Sequence, residues 1–482
     1  MKYEIIKGTD NKGFYIRVRS LNKAKHFAIH RTYLKRDERG NTTTEVINEK
    51  NCDSIIQSIN NKGITEGFII VDDNNDNIIS PNDIIHKLQD KEINFTSTGD
   101  KLKHHWPIFW KLSETDYSSI IRATMTLHQV CSSRCQFCST INRNRKDSIS
   151  LEEAKKFVES LYYDQANFNE KKFTKYNDEY KKIHGSSIRL KGLILSGGGQ
   201  PNLWPHFTEF VNWLSDKDID LGLITNGFPK NVDDKIYDKF KWIRLSITPE
   251  DASPFYPNQK FNLQRIPKNI LESKTTFGLS YVYGPWTNES FLNRLKETSK
   301  KWDVNYVRLL TDCNLGRSEQ LKAHNDLSYK LQNLGVIDKQ GKNKEKFFHQ
   351  LKFHGTRKEA NELWEEGKCF LQTYNVFWDT TGHELNKKSF CYPCDSVTVL
   401  QEDNSENDAE RKFNPNKWGT VTNDEIEKLY KEKWKKFFDT RENCSACLFM
   451  KNNSKVKELK NYNYANDKGI SLEKKIEHIN FP

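Results

Sequence analysis

Between residues 121 and 310, short apolar runs alternate with longer amphipathic stretches, the pattern of parallel strands joined by helical crossovers. Runs at 122–127, 192–196, 221–226, 242–247, 277–283 and 305–310 predict six strands, with helices between them. The first helix is expected to open at Ser150, where Glu153 three residues on completes a capping box. A polar stretch at 164–187 interrupts the first crossover and predicts an insertion or a substrate-side loop.

The flanks read differently. Residues 1–110 alternate β-like runs (13–19, 67–71) with Asn/Asp turns and one helical run at 81–88, which predicts a separate α+β accessory domain. Its last ten or so residues, KHHWPIFWKL, lead into the next unit, and His104 and His105 beside Trp106 and Pro107 predict a packed linker, not a metal site. Residues 315–365 read as a connector of charged helices. Within 366–450 a β-hairpin is expected to turn at 380–382 and an amphipathic helix to lie near 424–438. The Lys/Asn-rich tail, 451–482, is expected to be poorly ordered.

Composition narrows the class. At 482 residues there is room for two to four domains and a sizeable core, and an aromatic content of 12% argues against disorder despite 29% charged residues. The net charge of +11 favours an acidic partner, nucleic acid among them, but the lysines are spread along the chain as on an ordinary solvated surface. No stretch approaches the ~20 apolar residues that span a bilayer, and the start lacks a signal peptide's apolar core, so a soluble, cytoplasmic protein without a membrane partner is expected. Ten cysteines in a reducing compartment then point to metal or cluster ligation instead of disulfides.

Cys131, Cys135 and Cys138 follow directly on the first predicted strand. Three thiolates on such a loop can curl around one face of a cubane and hold three of its four irons, leaving the fourth for a chelating ligand. Zinc would call for a fourth ligand nearby, and the sequence offers none. After the second strand comes Ser196-Gly197-Gly198-Gly199-Gln200-Pro201.

These segments resemble the radical S-adenosylmethionine (SAM) superfamily, whose signature is C-x3-C-x-aromatic-C, with Phe137 as the aromatic. The resemblance covers roughly residues 120–310. It implies a [4Fe–4S] cluster on the three cysteines, with SAM on the open iron, and glycines that let the backbone approach the SAM amino group; Gln200 stands where Glu is usual. Thr225, Asn226 and Ser246 resemble positions that bind the SAM ribose or carboxylate. Arg244 is a candidate partner of that carboxylate, and the segment holding Ser280 and Val282 resembles the motif that packs on adenine. The implied fold class is α/β: a partial (β/α)6 TIM-like barrel over 111–314, with the N-terminal α+β accessory domain and a C-terminal Fe–S cluster domain.

Cys369, Cys391, Cys394, Cys444 and Cys447 form a later group with two CxxC pairs. Two such pairs suit a zinc ribbon, but their context, with Trp418-Gly419-Thr420-Val421 before the last pair, resembles the twitch or truncated SPASM extension. That implies a second, auxiliary [4Fe–4S] cluster on Cys369, Cys391, Cys444 and Cys447, with Cys394 spare or exchanging with Cys391. Cys313, Glu289 and Asp312 near the strand ends are candidate catalytic residues, the first as hydrogen-atom donor or substrate contact, the others as bases.

The resemblance implies reductive cleavage of SAM to a 5′-deoxyadenosyl radical, fed by an external donor such as flavodoxin or ferredoxin. The expected substrate is a ribosomally made peptide that becomes cross-linked, thioether-bridged or epimerised. Dehydrogenation of a small alcohol or sugar, and modification of RNA or a nucleotide, are the alternatives.

Overall fold

A computed structural model describes residues 3–10, 13–20, 27–30, 32–36, 42–62, 99–133, 135, 137–138, 140, 143–247, 266–287, 289–312, 315–338, 346–350, 355–380, 383–386, 388–395, 421–438, 444, 446–464 and 477–481. The chain divides into two compact units, Met1–Ile93 with Leu331–Glu345, and Asn94–Lys330 with Lys346–Pro482. The expected strand at 67–71, the helix at 81–88, Cys313, Gly382 and 418–420 lie outside the described residues.

In the first unit, β1 (Tyr3–Asp10), β2 (Gly13–Ser20) and β3 (Phe27–His30) form an antiparallel sheet in that order. β4 (Thr32–Arg36) pairs antiparallel with β5 (Thr42–Val46). Asn48 and Asn51 then exchange side-chain bonds with each other's backbone N–H, which turns the chain into the helix Cys52–Lys62 with Cys52 and Ile55 buried.

The second unit is mixed α/β and holds the large sheet. Its strands are β6 (Arg122–Thr126), β7 (Gly192–Ser196), β8 (Asp220–Thr225), β9 (Trp242–Ile247), β10 (Thr276–Tyr283), β11 (Tyr306–Thr311) and β12 (Phe347–Gln350), all parallel and hydrogen-bonded in chain order. The six expected strands are present within one residue or so. β12 is a seventh, inside the segment expected to be charged helices; its apolar run is only Phe347–Phe348, between Lys346 and His349, too short to register as a strand.

Beyond β13 (Gly355–Thr356), β14 (Asn375–Asp379) adds parallel to β6, and β15 (Phe390–Tyr392) and β16 (Val421–Thr422) extend that edge antiparallel. The expected hairpin is therefore real in its pairing, Trp378 opposite Cys391, but the helix His383–Asn386 lies in its connection. The last strand, β17 (Ala446–Cys447), pairs with β13.

Side chains alternate across the sheet. Ala123, Met125, Leu193, Leu195, Leu223, Ile243, Leu245, Leu279, Val307 and Leu309 are buried on one face. The other face carries Arg122, Thr124, Thr126, Arg244, Ser246, Ser280 and Arg308. A sheet whose strands run in one order places its right-handed crossovers on one side, so the polar face is left for other uses.

Ser150 caps the helix Leu151–Glu159 through the expected capping box with Glu153. The stretch 164–187 is not a loop: it forms the helices Gln165–Lys172 and Thr174–His184. Tyr176 and Tyr180 enter the core, while the Asn169 and Asn177 amides bind the backbone of Gln165 and Ile188, so a polar sequence is satisfied inside. The amphipathic helix expected near 424–438 is broken into short turns around Lys428–Lys431. The tail is ordered where it is described: Met450–Lys460 is a helix burying Asn452, Asn453, Val456 and Leu459, and Phe481 packs edge-on against Trp242. Among the described residues no helix is long and apolar enough to cross a membrane.

Candidate active site

β6 ends at Thr126, and the chain then crosses the ends of the neighbouring strands. Gln129 N donates to Asp147 O at 2.8 Å and Gln200 N donates to Val130 O at 2.7 Å, which tie the cysteine segment to its own return and to the glycine turn after β7. His128 Nε2 lies 2.7 Å from Gln200 O; burial holds the imidazole below its ordinary pKa, so it is a neutral ring donating to that carbonyl.

Cys131, Cys135 and Cys138 are half-buried, and none of the described cysteines is in a disulfide. Donors face two of the sulfurs. Cys131 Sγ accepts from Ser133 N at 3.4 Å and lies 3.6 Å from Asn226 Nδ2; Cys138 Sγ is 3.0 Å from Arg143 Nη1. Arg145 clasps the loop by its carbonyls, Cys131 O at 3.0 Å and Ser133 O at 3.1 Å.

The glycine turn is tight for a reason inside the protein. Gly197 has φ 131°, outside the usual range of L-residues, and a Cβ there would overlap Thr126. A Cβ on Gly198 would overlap the Gln129 amide, and on Gly199 the carbonyls of His128 and Val130. The three glycines thus let the turn lie flat against the cysteine segment. Gln200 is buried and uses both ends of its amide: Oε1 accepts from Ser132 Oγ at 2.8 Å and Nε2 donates to Gly227 O at 3.3 Å. A carboxylate has no donor for the Gly227 carbonyl, which accounts for Gln at this position. Pro201 starts the short turn Pro201–Leu203.

Thr225 is buried, with Oγ1 2.8 Å from Gly227 O and 3.0 Å from Asn202 Oδ1, so it braces the end of β8. Asn226 Nδ2 reaches Ser133 Oγ at 2.6 Å, while its Oδ1 is buried without a hydrogen-bond partner among the described residues. Ser246 stands beside Ser280, and Ser280 beside Arg308; Arg244 is two residues deeper, opposite Gly278. Burial lowers the Arg244 pKa, and burial with the like charge of Arg244 pushes Arg308 down to about 9. Phe137 packs on Trp286, ring centroids 5.2 Å apart, and Trp286 Nε1 donates to Val282 O. Glu289 is exposed in the first turn of the helix Glu289–Lys301, where its charge suits the helix dipole, and Asp312 is half-buried just after β11.

Sequence reasoning missed Arg143, Arg145, Trp286 and Arg308. Two arginines five and seven residues after Cys138 were the available signal, but only the folded loop turns them back on the cysteines.

The later cysteines separate into two environments. Cys369, Cys444 and Cys447 lie in one buried hydrophobic cluster with Phe370, Trp434 and Phe438, and Cys394 packs against it. Asn453 sits between two of them, 3.4 Å from Cys369 Sγ and 3.8 Å from Cys447 Sγ. Burial, and then the nearby Cys447, push the Cys369 thiol up to about 12; burial pushes Cys447 up to about 12, with Cys394 adding to it. Cys391, on β15, is raised by burial alone and lines a small cavity with Val376, Val421 and Leu429. Among the described residues no set of three or more His, Cys, Asp or Glu side chains is drawn together as a ready metal cage.

No family model matches the chain, and no curated protein matches it. Solved structures do. SuiB of Streptococcus suis bound to S-adenosylmethionine aligns over 90% of this chain and 89% of its own, at 12% identity and TM-score 0.42. SuiB bound to its precursor peptide SuiA aligns over 94% and 93%, at 13% identity and TM-score 0.42. Native anSMEcpe with bound AdoMet and a Cp18Cys peptide aligns over 70% of this chain and 96% of its own, at 15% identity and TM-score 0.34. Likeness this distant says nothing about reaction or substrate.

Proposed function

We propose that the chain is a radical SAM enzyme whose reaction site lies at the carboxyl ends of β6–β11. One observation carries the reading: three half-buried thiols outside any disulfide sit on the loop after the first parallel strand, N–H donors face the sulfurs of Cys131 and Cys138, and the glycine turn of the next strand packs against the segment that leads into them. That donor chemistry fits a thiolate-bound cluster, because such clusters are held by cysteine sulfur with hydrogen bonds to it. When bound, a [4Fe–4S] cluster with SAM supplies reductive cleavage to a 5′-deoxyadenosyl radical, which takes hydrogen from the substrate.

The chain's own residues do the rest. Cys131, Cys135 and Cys138 hold the cluster, and Arg145, Asn226 and Gln200 keep the loop in register. Ser246, Ser280 and Arg244 offer hydroxyls and a cation on the polar face of the sheet for the SAM carboxylate and ribose. The one-way strand order, and a sheet face carrying Arg122, Arg244, Ser246, Ser280 and Arg308, support a partial barrel. Cys369, Cys394, Cys444 and Cys447 are the proposed ligands of an auxiliary cluster, with Cys394 in place of Cys391 because it shares their environment.

The substrate class proposed is a ribosomally made peptide. β1 and β3 are the outer strands of the three-stranded sheet in the first unit, and an extended peptide can add to such an edge as a further strand. Anaerobic reconstitution with iron and sulfide, iron counting, and assay of 5′-deoxyadenosine from SAM plus reductant test the reading. About four irons per chain are expected for one cluster and about eight for two; zinc binding with no 5′-deoxyadenosine would sink it.

A further inference from the structure

Arg143 follows Cys138 by five residues, and its guanidinium is fixed from two sides. Nε donates to Gln129 O at 3.1 Å and Nη1 donates to Thr140 O at 2.9 Å. Held in that plane, Nη1 is also 3.0 Å from Cys138 Sγ. Thr140 Oγ1 lies 3.4 Å from the same sulfur and 3.2 Å from Nη1, so two polar groups converge on one thiol. Arg145, two residues on, is bonded instead to the carbonyls of Cys131 and Ser133. Both arginines shape the loop, but Arg143 also reaches a sulfur.

We propose that Arg143 sets the reduction potential of the cluster bound through Cys138, a tuning role that rests on the cluster reading above. One-electron reduction adds a negative charge that spreads onto the ligand sulfurs. A guanidinium donating to one of those sulfurs stabilises the reduced form more than the oxidised one, because its attraction grows with the charge it faces. The half-burial of Arg143 and Cys138 limits the screening of that attraction by water. The electron comes from a one-electron donor of the flavodoxin or ferredoxin class, or from a viologen in the test; the donor loses one electron and no proton moves. Arg143 thereby eases the electron transfer that precedes SAM cleavage, acting through Cys138 and not on the substrate.

The test uses the full chain, reconstituted anaerobically, with midpoint potentials from titrations followed by electron paramagnetic resonance. The signal that changes on adding SAM marks the loop cluster. Arg143→Gln removes the cation and is expected to disfavour reduction about tenfold, a shift of about 59 mV to more negative potential for a one-electron couple. Arg143→Lys keeps the charge and should restore more than half of that shift. Wild-type iron content in both variants with midpoints inside a twofold change in the equilibrium overturns the proposal.

If the Gln variant loads poorly, the wild-type chain labelled with nitrogen-15 arginine decides. A hyperfine coupling to the reduced loop cluster that disappears in Arg143→Lys supports the assignment; no coupling in the wild type overturns it. A wild-type chain that loads no iron on Cys131, Cys135 and Cys138 sinks the cluster reading itself, a result distinct from loaded chains with an unmoved potential.

Discussion

The two cysteine regions differ in what surrounds the sulfur more than in spacing. On the 131–138 loop the thiols are half-buried and meet Arg143, Asn226 and backbone N–H. In the later group Cys369, Cys444 and Cys447 are buried among aromatic rings, and burial lifts the Cys369 and Cys447 thiols to about 12. Metal binding needs thiolates, so the buried thiols of the second setting gain their charge only as a metal displaces the protons, while the first setting offers solvent access and N–H donors to sulfur. A site that must admit a ligand belongs in the first setting. The second suits a closed, fully ligated centre that is part of the core.

The largest effect separates the two directly. Replacing Cys131, Cys135 or Cys138 with Ala is expected to bring 5′-deoxyadenosine to the detection limit and remove about half the iron of a doubly loaded chain, with melting temperature nearly unchanged. Replacing Cys369 or Cys447 should instead lower the melting temperature together with the iron, because those sulfurs are packed in the core. Equal losses of stability from both regions would erase the distinction.

Cys391 and Cys394 sharpen the second half of the comparison. Cys394→Ser should lose the iron of the later group. Cys391→Ser should keep it and cost about 1–3 kcal/mol of stability in denaturant titration, the effect of placing a hydroxyl in a buried, mostly apolar pocket. The opposite pattern of iron loss would return Cys391 to the ligand set.

A smaller effect is expected at Gln200. Gln200→Glu sets a carboxylate oxygen against Gly227 O, and losing the buried donor should destabilise the turn by about 1–3 kcal/mol at neutral pH, as read by denaturant midpoint. A gap to the wild-type midpoint that closes when both chains are measured at the same acid pH, where the carboxyl can donate, would identify the cause.

The sequence disclosed the strands because they are short runs of apolar residues, such as Leu193-Ile194-Leu195, or alternate with polar ones, as Ala123 and Met125 do, and both are local signals. It disclosed the cysteine loop and glycine turn because their spacing is short. What it hid depends on partners far along the chain. Asn452 and Asn453 look like tail residues, yet their amides bind Tyr374 Oη and Phe370 N inside the core, which makes a polar helix part of the interior. The hairpin of β14 (Asn375–Asp379) and β15 was legible, but not that β14 pairs parallel with β6, a strand far earlier in the chain. The company kept by Cys391 and Cys394 likewise follows from Cys391 lying within β15 and Cys394 beyond its end, and the spacing CxxC is silent about that.

Acid should act through buried histidines kept neutral, one stacked pair of them beside the region of the later cysteines. His105 stacks on His184 with centroids 4.6 Å apart, its Nδ1 3.0 Å from Tyr180 Oη, and Tyr180 belongs to the same hydrophobic cluster as Cys369 and Cys447. Burial pushes His184 down to about 4, and burial with the charge of Lys101 pushes His478, which holds the tail to Thr276, down to about 4. An unfolded chain protonates these rings near pH 6.5, the folded chain only near pH 4, so over that interval the unfolded state binds more protons. Stability is therefore whole above about pH 6.5 and falls as the pH drops toward 4, by about 1–3 kcal/mol for each ring once partial solvent contact is allowed for. Denaturant midpoints of the metal-free chain at pH 7 and pH 5 measure the fall, and His184→Asn should reduce it. A fall that His184→Asn leaves untouched would mean that acid acts elsewhere, and the contrast between a solvent-facing loop and a proton-excluding core would lose this support.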